Sequence, residues 1–442
     1  MEMKKSSPEL NIKSTFWLPQ PVDDLCHGIT RDEDCDVFII GGGISGLSTA
    51  LHIKMLSPET DVVLVEADRI GYGPGGLNSG QCAPRVGPDI GIQILKSGKK
   101  NALLNYQYSL DACSYLKNFI HLFNLNLEFE ETEQWQISLS SAGYKKNLIT
   151  LSEYASLGVT LDYYDKTLLT GMMPDSQRIQ NAISFPASFI NPGLFCINLK
   201  KLALDSGVRI FESSRAELNL ALLQGNARVN GFNLKSKKVI LAIDRNISFT
   251  PRSFSVVHPI TTYISVTRPL NHNELSAIGW KKRAGLYDNR KYFKFLRPLS
   301  HNRLLIGGEY RFNNKHSERV KTHKIAVNSL MKHLTALFPS LNKVESEYSW
   351  SGVSGCTLTG WPVVKPMDDS ERCWQIGSWN GHGVALSFYA GKNLAERISD
   401  ESSHPAVPWN ESPGIPIPYW LSAISIPAYL AWFKYYGNLS IK

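Results

Sequence analysis

One stretch, Asp36 to Gln81, constrains the fold more than any other. An apolar run, Val37-Phe38-Ile39-Ile40, enters Gly41-Gly42-Gly43-Ile44-Ser45-Gly46. Leu47, Ala50, Leu51, Lys54 and Met55 follow at helical spacing, and Val62-Val63-Leu64-Val65 then closes on Glu66. Strand, glycine turn, helix, strand and acid in this register predict a dinucleotide-binding βαβ unit. Gly41 permits the tight turn, Gly43 lets the backbone approach a pyrophosphate, and Gly46 lets the helix pack closely on the sheet. The helix N-terminus, at Ile44 and Ser45, offers N–H groups and a positive dipole end to phosphates. Glu66 stands where a carboxylate accepts hydrogen bonds from ribose hydroxyls and repels a 2′-phosphate, which disfavours NADP.

A length of 442 residues predicts two or three domains. The apolar share of 43% and charged share of 19% are those of a globular protein. The net charge of +8 is scattered, densest at Lys281-Lys282-Arg283 and Lys237-Lys238. Without a basic stripe or a recognition module nucleic acid is not an expected partner, although a mild positive field favours anionic ligands. The seven cysteines form no C-x-x-C pair and no metal-spaced cluster with histidine, so no metal site is expected. An odd count without a disulfide framework suits a reducing compartment, and Met1 to Gln20 lacks the apolar core of a secretory signal; both point to the cytoplasm. Ile415 to Phe433 carries no charge and is long enough to cross a bilayer. Pro416, Pro418 and Pro427 are expected to break it as a helix. The segment then reads as a packed C-terminal cover, with Tyr419, Trp420, Tyr429 and Trp432 forming an aromatic surface open to peripheral membrane contact.

In chain order, residues 1–34 form a polar leader with Pro19, Pro21 and Asp23-Asp24, expected to be irregular and to lie over the first domain. After the βαβ unit comes a loop too rich in glycine for a helix or strand interior, Gly71-Tyr72-Gly73-Pro74-Gly75-Gly76-Leu77-Asn78-Ser79-Gly80-Gln81, suited to close approach of a flat or anionic ligand. Helices are expected from Ile92 to about Leu125, from Ser141 to Leu157, from the Asn191-Pro192-Gly193 cap to Asp205, from about His316 to Phe338, and from Ala385 to Ile398. Strands are expected at Trp135–Leu139, Ala182–Pro186, Val208–Phe211, Lys238–Ala242, Thr261–Thr267, Tyr292–Leu296, Arg303–Gly307, Tyr348–Gly352 and Cys373–Gly377. Alternation over Tyr292–Arg297 predicts one wet face and one dry face. Ser378-Trp379-Asn380-Gly381-His382-Gly383-Val384 is a second glycine-rich strand-to-helix turn. The fold expected is therefore mixed α/β, a Rossmann-like nucleotide domain built from 35–90, 175–250 and 345–400. A mostly antiparallel second domain, 91–174 and 251–344, is interleaved with it, and 401–442 is the C-terminal segment.

These motifs together resemble the FAD-dependent amine and amino-acid oxidases of the D-amino-acid oxidase superfamily, with the γ-glutamylputrescine-oxidising branch the nearest pattern. The resemblance runs through Asp36–Gly46, Glu66-Ala67-Asp68-Arg69-Ile70-Gly71, Gly71–Gln81 (retaining Asn78, Gly80 and Gln81), Asn302–Gly308, Trp350-Ser351-Gly352 with Thr357 and Pro362, and Gly381–Val384. It implies FAD, held without a covalent bond. Gly41, Gly43, Ile44, Ser45 and Gly46 would sit at the pyrophosphate, and Glu66 and Ala67 at the adenosine ribose. Pro74, Gly75, Asn78, Ser79, Gly80 and Gln81 would lie along the isoalloxazine, and Gly381, His382, Gly383 and Val384 at its pyrimidine end. Ala216 and Gly352 complete the implied cofactor set. A helix N-terminus at Gly381–Val384 would stabilise the anion formed on flavin reduction, and His382 could add a donor.

The chain departs from the family pattern in three places. Gly75-Gly76-Leu77 replaces Ser-Gly-Arg, Ala242-Ile243 replaces Ala-Gly, and Cys356 does not align with the flavin-linked cysteine of sarcosine oxidases. The resemblance implies oxidation of a C–N bond in a small amine or amino acid, hydride passing to flavin N5 and dioxygen giving hydrogen peroxide. No catalytic base is evident; His382, Tyr263 and Tyr292 are the candidates, and Tyr310, Arg290 and Lys294 are further substrate contacts by residue type. The alternative is a protein substrate, since relatives of these oxidases mature quinone cofactors such as cysteine tryptophylquinone on a companion enzyme.

Overall fold

The computed structural model describes residues 15–18, 25–244, 254–312, 320–400, 405–409, 414 and 416–439. Pro19, Pro21, Asp23-Asp24, the expected helix start at His316 and Ile415 lie outside them. The chain runs β1 (Glu33–Ile40), α1 (Ile44–Leu56), β2 (Val62–Val65), α2 (Pro74–Leu77), β3 (Gln81–Cys82), α3 (Ile90–Leu122), β4 (Glu130–Ser138), α4 (Ser141–Ala155) and β5 (Asp162–Asp165). It continues through α5 (Lys166–Met172), β6 (Asn181–Phe189), α6 (Pro192–Asp205), β7 (Arg209–Phe211), β8 (Asn226–Val229), β9 (Phe232–Leu241), β10 (Phe254–Ser255), β11 (Val257–Thr267) and α7 (His272–Ile278). The last part is β12 (Gly285–Asp288), β13 (Phe295–Pro298), β14 (Leu304–Phe312), α8 (Val320–Leu337), β15 (Ser346–Thr357), β16 (Val363–Pro366), β17 (Cys373–Gly377), α9 (Gly383–Ser399), β18 (Ile417–Pro418) and α10 (Tyr419–Leu439).

Two sheets carry the architecture. The first has the order β16-β17-β9-β1-β2-β7, with β8 joined to β9. β1 pairs in parallel with both β2 and β9, so Phe38 and Ile39 are sealed on both faces. That two-sided burial is why the run reads as continuously apolar instead of alternating. α1 was expected to bury one face, but Ile44 through Ile53 are all buried, because α1 packs under α6 and α9 as well as on the sheet. Met55, read as part of the apolar face, is 47% exposed at the helix end.

The second sheet has the order β15-β11-β14-β13-β12-β4-β6-β3, with β5 on β6. Only the β4–β12 pairing is parallel, so the Rossmann-like unit is interleaved with a largely antiparallel one, as the sequence pattern implied. β6 and β15 belong to this sheet, although they come from the stretches 175–250 and 345–400. One face packs on α8 through Tyr263, Leu286, Leu296 and Ile306. The other carries Ile264, Val266, Leu305 and Trp350, which pack with Trp17 and Leu77. It therefore faces the second glycine-rich loop.

Four expectations need correction. The loop 71–81 contains a helical turn, α2: Pro74 at its start presets φ. The turn closes against Gly71, whose carbonyl oxygen would lie 2.1 Å from a Cβ at Gly76. The strand expected at Tyr292 begins only at Phe295, and neither face is wet: Tyr292, Lys294, Leu296 and Arg297 are buried and Phe293 and Phe295 half-buried. The C-terminal prolines do not prevent a helix. Pro416 and Pro418 precede α10, and Pro427 sits within its 21 residues, costing a backbone hydrogen bond without ending it. The leader is not merely draped over the domain: Thr15, Trp17 and Leu18 are buried. Among the described residues no helix is long and apolar enough to cross a membrane.

Candidate active site

The first glycine turn is shaped by backbone crowding on one side and open space on the other. Gly41 has φ +113°, and a Cβ there would lie 2.5 Å from the Ala242 carbonyl oxygen. One at Gly46 would lie 2.0 Å from the Gly41 carbonyl oxygen. Gly43 has ordinary extended backbone, and a Cβ there meets nothing within 4 Å. Gly43 is also the N-cap of α1 and makes no side-chain cap, leaving the first-turn amides facing that open space. These features fit a pyrophosphate. At the end of β2, Glu66 Oε2 accepts from the Gly42 amide (2.9 Å) and Oε1 from the Asp68 amide (3.0 Å), fixing the carboxylate beside the turn. Ala67 is exposed next to it. The segment before β8 runs alongside: Ser214 N–H donates to the Glu66 carbonyl at 2.8 Å, and Ala216 bridges to Val229.

The second loop folds over the first turn. Asn78 Nδ2 donates to the carbonyls of Pro74 (3.1 Å) and Gly75 (2.6 Å), while its Oδ1 accepts from the Gly80 amide at 2.8 Å. A Cβ at Gly75 would lie 3.3 Å from the Ile44 nitrogen, so the two glycine segments are in contact. Gly352 of β15 joins them, its ideal Cβ 3.6 Å from Leu77 Cβ. Gln81 Nε2 donates to Ser79 Oγ (3.3 Å) and Gln81 Oε1 accepts from Gln134 Nε2 (3.0 Å), linking the loop to β4.

The third turn, at Gly381, His382, Gly383 and Val384, opens α9 and is bent by left-handed backbone at Ser378 (φ 62°), Asn380 (φ 53°) and Gly381 (φ 85°). Such conformations persist only where surroundings enforce them. Here Asp244 does so, accepting from the amides of Ser378 and Gly355, both at 2.8 Å, while Asn380 Oδ1 accepts from the Thr357 amide at 2.8 Å. Trp379 Nε1 donates to Ser45 Oγ at 3.1 Å, drawing this turn against the start of α1. Burial, and after it the Arg85 charge, lowers the His382 imidazole to about 3, so the ring is neutral at physiological pH.

Arg85, four residues beyond the loop's last motif position, was not anticipated. Its guanidinium lies over the Tyr287 ring at 5.2 Å and donates to Asp89 Oδ1 at 3.0 Å. A small cavity of about 30 Å³ lies there, walled by Arg85, Gln136, Tyr154, Phe185 and Tyr287. Lys146 and Lys291 also approach Asp89, at 3.2 and 3.6 Å. Burial pushes the Asp89 carboxyl up, but Arg85 and the two lysines outweigh it and hold the group far below its ordinary range. A cation four residues after a glycine-rich loop was the available signal; the side chain that encloses it, Tyr287, is remote in sequence.

Other named residues are placed elsewhere. Tyr263 is buried on the α8 face, its ring 5.6 Å from that of His323. Arg290 is bidentate to Asp288, both bonds 2.7 Å, and Lys294 pairs with Glu309 at 3.1 Å. Tyr292 donates to Glu309 at 3.1 Å, and the Tyr310 ring packs 5.2 Å from that of Tyr292. These cations are engaged by buried carboxylates of the second sheet and are not gathered at the Arg85 pocket. Cys356 is paired across the strands with His258, and burial pushes its thiol up to about 12, which makes it a poor nucleophile.

The sequence model of the FAD-dependent oxidoreductase family matches residues 36–397. Among curated proteins, the chain is 25% identical over 404 residues to a probable oxidoreductase, OrdL, of Haemophilus influenzae, covering 88% of each. It is 24% identical over 389 residues to the gamma-glutamylputrescine oxidoreductase of Escherichia coli, covering 86% of this chain and 87% of that one. Similar solved structures include glycine oxidase from Geobacillus kaustophilus (TM-score 0.71, 16% identity, 87% of this chain and 100% of that one). L-proline dehydrogenase from P. horikoshii is another (TM-score 0.68, 15% identity, 84% and 95%). Likeness at these identities establishes the shared fold.

Proposed function

Because the chain belongs to the family of FAD-dependent oxidoreductases, and so carries FAD as its cofactor, we propose that it oxidises a C–N bond of a small amine or amino acid. The observation that carries this reading is the Arg85–Tyr287 pocket, walled by polar and aromatic side chains and joined to the second glycine loop through Gln134, which donates to Gln81. Bound FAD supplies the hydride acceptor and, on reoxidation, delivers electrons to dioxygen, giving hydrogen peroxide. The binding is non-covalent, consistent with the high pKa of Cys356.

The protein's own contribution is binding and charge. Arg85 anchors an anionic or strongly polar end of the substrate, as a guanidinium suits a carboxylate. Arg85, Lys146 and Lys291 outnumber Asp89 and Glu153 around the pocket, a balance that disfavours a substrate ammonium and favours the neutral amine needed for hydride loss. Neutral His382 can donate one N–H without adding a competing cation. The gamma-glutamylputrescine named for the Escherichia coli relative has both an amine and a carboxylate, and is the first substrate to try. An odd cysteine count without a C-x-x-C pair suits a reducing compartment, and the cytoplasm is the location that goes with this reading.

A peroxide-coupled screen of amines with and without a carboxylate tests the proposal. Carboxylate-bearing amines should turn over, and Arg85→Met should raise their KM about tenfold or more, the scale of a lost charged hydrogen bond. Amines lacking the carboxylate should change little. Equal effects on both groups would remove Arg85 as the anchor. Absence of peroxide with every small amine would leave a protein substrate, such as a quinone-cofactor precursor, as the better reading.

A further inference from the structure

The loop that follows α2 has its carbonyl groups captured one after another by buried donors from three distant segments. Trp350 Nε1 on β15 donates to the Leu77 carbonyl at 2.8 Å, and Trp17 Nε1 in the leader donates to that of Asn78 at 2.8 Å. Arg297 Nη1 on β13 donates to the carbonyls of Ser79 (2.9 Å), Gly80 (3.1 Å) and Ile190 (3.0 Å). The three donors form one assembly. The indoles of Trp17 and Trp350 meet edge-on with centroids 6.1 Å apart, and the guanidinium of Arg297 lies 5.3 Å from the Trp17 ring and 4.4 Å from that of Phe189. Trp17 is itself fixed: its amide and that of Leu18 donate to Thr15 Oγ1, both at 3.1 Å, and Asn191 Nδ2 donates to its carbonyl at 3.3 Å.

Arg297 is 3% exposed and pairs with no carboxylate among the described residues. Burying a cation without a counter-ion is costly, and burial lowers this guanidinium to about 10. Carbonyl dipoles and two aromatic faces offset that cost. A scaffold needing only packing would be served by an aliphatic side chain here, so the charge points to a role in orienting the loop.

In a trans peptide the carbonyl and the following N–H point in opposite directions. Fixing the carbonyls of Leu77 and Asn78 toward the tryptophans turns the amides of Asn78 and Ser79 to the other side of the loop, and among the described residues neither amide has an acceptor. We propose that Trp17, Trp350 and Arg297 are positioning residues that present these two amides to the bound FAD and so favour its reduced, more negative form. The inference rests on the reading that the loop 71–81 lies along the cofactor. Oriented N–H dipoles in a water-poor site stabilise developing negative charge effectively. The clamp also supplies, from the outer side, a cation for a loop that has Leu77 where the related pattern has arginine.

The test uses holoprotein carrying Trp17→Phe, Trp350→Phe or Arg297→Lys, with Trp374→Phe as control. Trp374 is buried in the first domain and donates to the Glu371 carbonyl, away from the loop. The phenylalanine variants keep a ring and lose the donor. The readout is the two-electron reduction potential of the bound FAD, together with FAD content and thermal unfolding. Each clamp variant should shift the reduction equilibrium about tenfold toward oxidised FAD, ~30 mV for a two-electron couple, while Trp374→Phe leaves it unchanged. Loss of FAD from a clamp variant that melts like the FAD-free parent supports the proposal equally, since the loop then no longer seats the cofactor. Parental potential and FAD content in both Trp17→Phe and Trp350→Phe would overturn it. A parent that binds no FAD would overturn the flavin reading itself, and the two failures are therefore distinguishable.

Discussion

Gly41, Gly43 and Gly46 lie within one turn of chain, yet a side chain would meet a different fate at each. At Gly41 and Gly46 it would collide with backbone oxygen at 2.5 and 2.0 Å, so substitution there damages the fold whether or not a cofactor is bound. At Gly43 it would meet no protein atom within 4 Å. Gly43→Val is therefore expected to unfold like the FAD-free parent and to lose FAD; normal FAD content in that variant would place the pyrophosphate elsewhere. Glu66→Ala should weaken FAD by about 1–3 kcal/mol, measured by titrating apoprotein, since the carboxylate orients the turn and, in the proposed cofactor site, would accept from the ribose. His382 adds a pH signature. Its imidazole is lowered to about 3 in the folded protein, so the unfolded chain takes up the proton first as pH falls. The stability this neutral ring contributes is complete above about pH 6.5 and is lost as pH drops toward 3. His52 and His333, also lowered, act with the same sign. The fall in urea midpoint between pH 7 and pH 5 should consequently be smaller in His382→Gln than in the parent, and an equal fall would show that the ring is not desolvated.

Among the elements, β14 and its neighbours show why alternation misleads when charges are buried in pairs. Glu309, 2% exposed, accepts from Ser329 (2.7 Å), Lys294 and Tyr292 and pairs with Lys434 of α10. Burial alone would raise its carboxyl; Lys294 and the other donors reverse that and hold it at about 2. Its stabilising contribution is thus present above the ordinary glutamate range and disappears as pH falls toward 2. Lys294→Met leaves a buried carboxylate short of its buried partner and should cost about 3 kcal/mol in urea unfolding. Lys434 is 43% exposed at its side chain, so Lys434→Met should cost at most about 1 kcal/mol. The reverse order would mean that α10, not the sheet, anchors this cluster. From the sequence, the alternation over Tyr292–Arg297 reads as one wet and one dry face, because a single chain does not reveal the carboxylates and carbonyls that meet Lys294 and Arg297 when both are buried. The glycine loop misled in the same way: α2 depends on Pro74 and on contact with Gly71, and composition alone argued against any helix.

At the scale of the molecule, what could be read from sequence was local and repeated within one unit: strand, turn, helix, strand, acid. Those residues are close in sequence and buried on both sides, so their pattern survives without tertiary knowledge. What could not be read was assembled across the chain. Trp17 reaches Asn78, Tyr287 covers Arg85, Trp379 reaches Ser45, and β6 and β15 leave their flanking segments to join the second sheet. These long-range contacts bring the three glycine turns to one place and build the pocket beside them. The most direct test of the account is to mix purified protein anaerobically with an excess of a carboxylate-bearing amine and follow its visible flavin absorption. The account predicts one FAD per chain, loss of the oxidised flavin band on mixing, and its return with one hydrogen peroxide per FAD when air is admitted. A colourless protein, or bound FAD that dithionite reduces but no amine does, would contradict it.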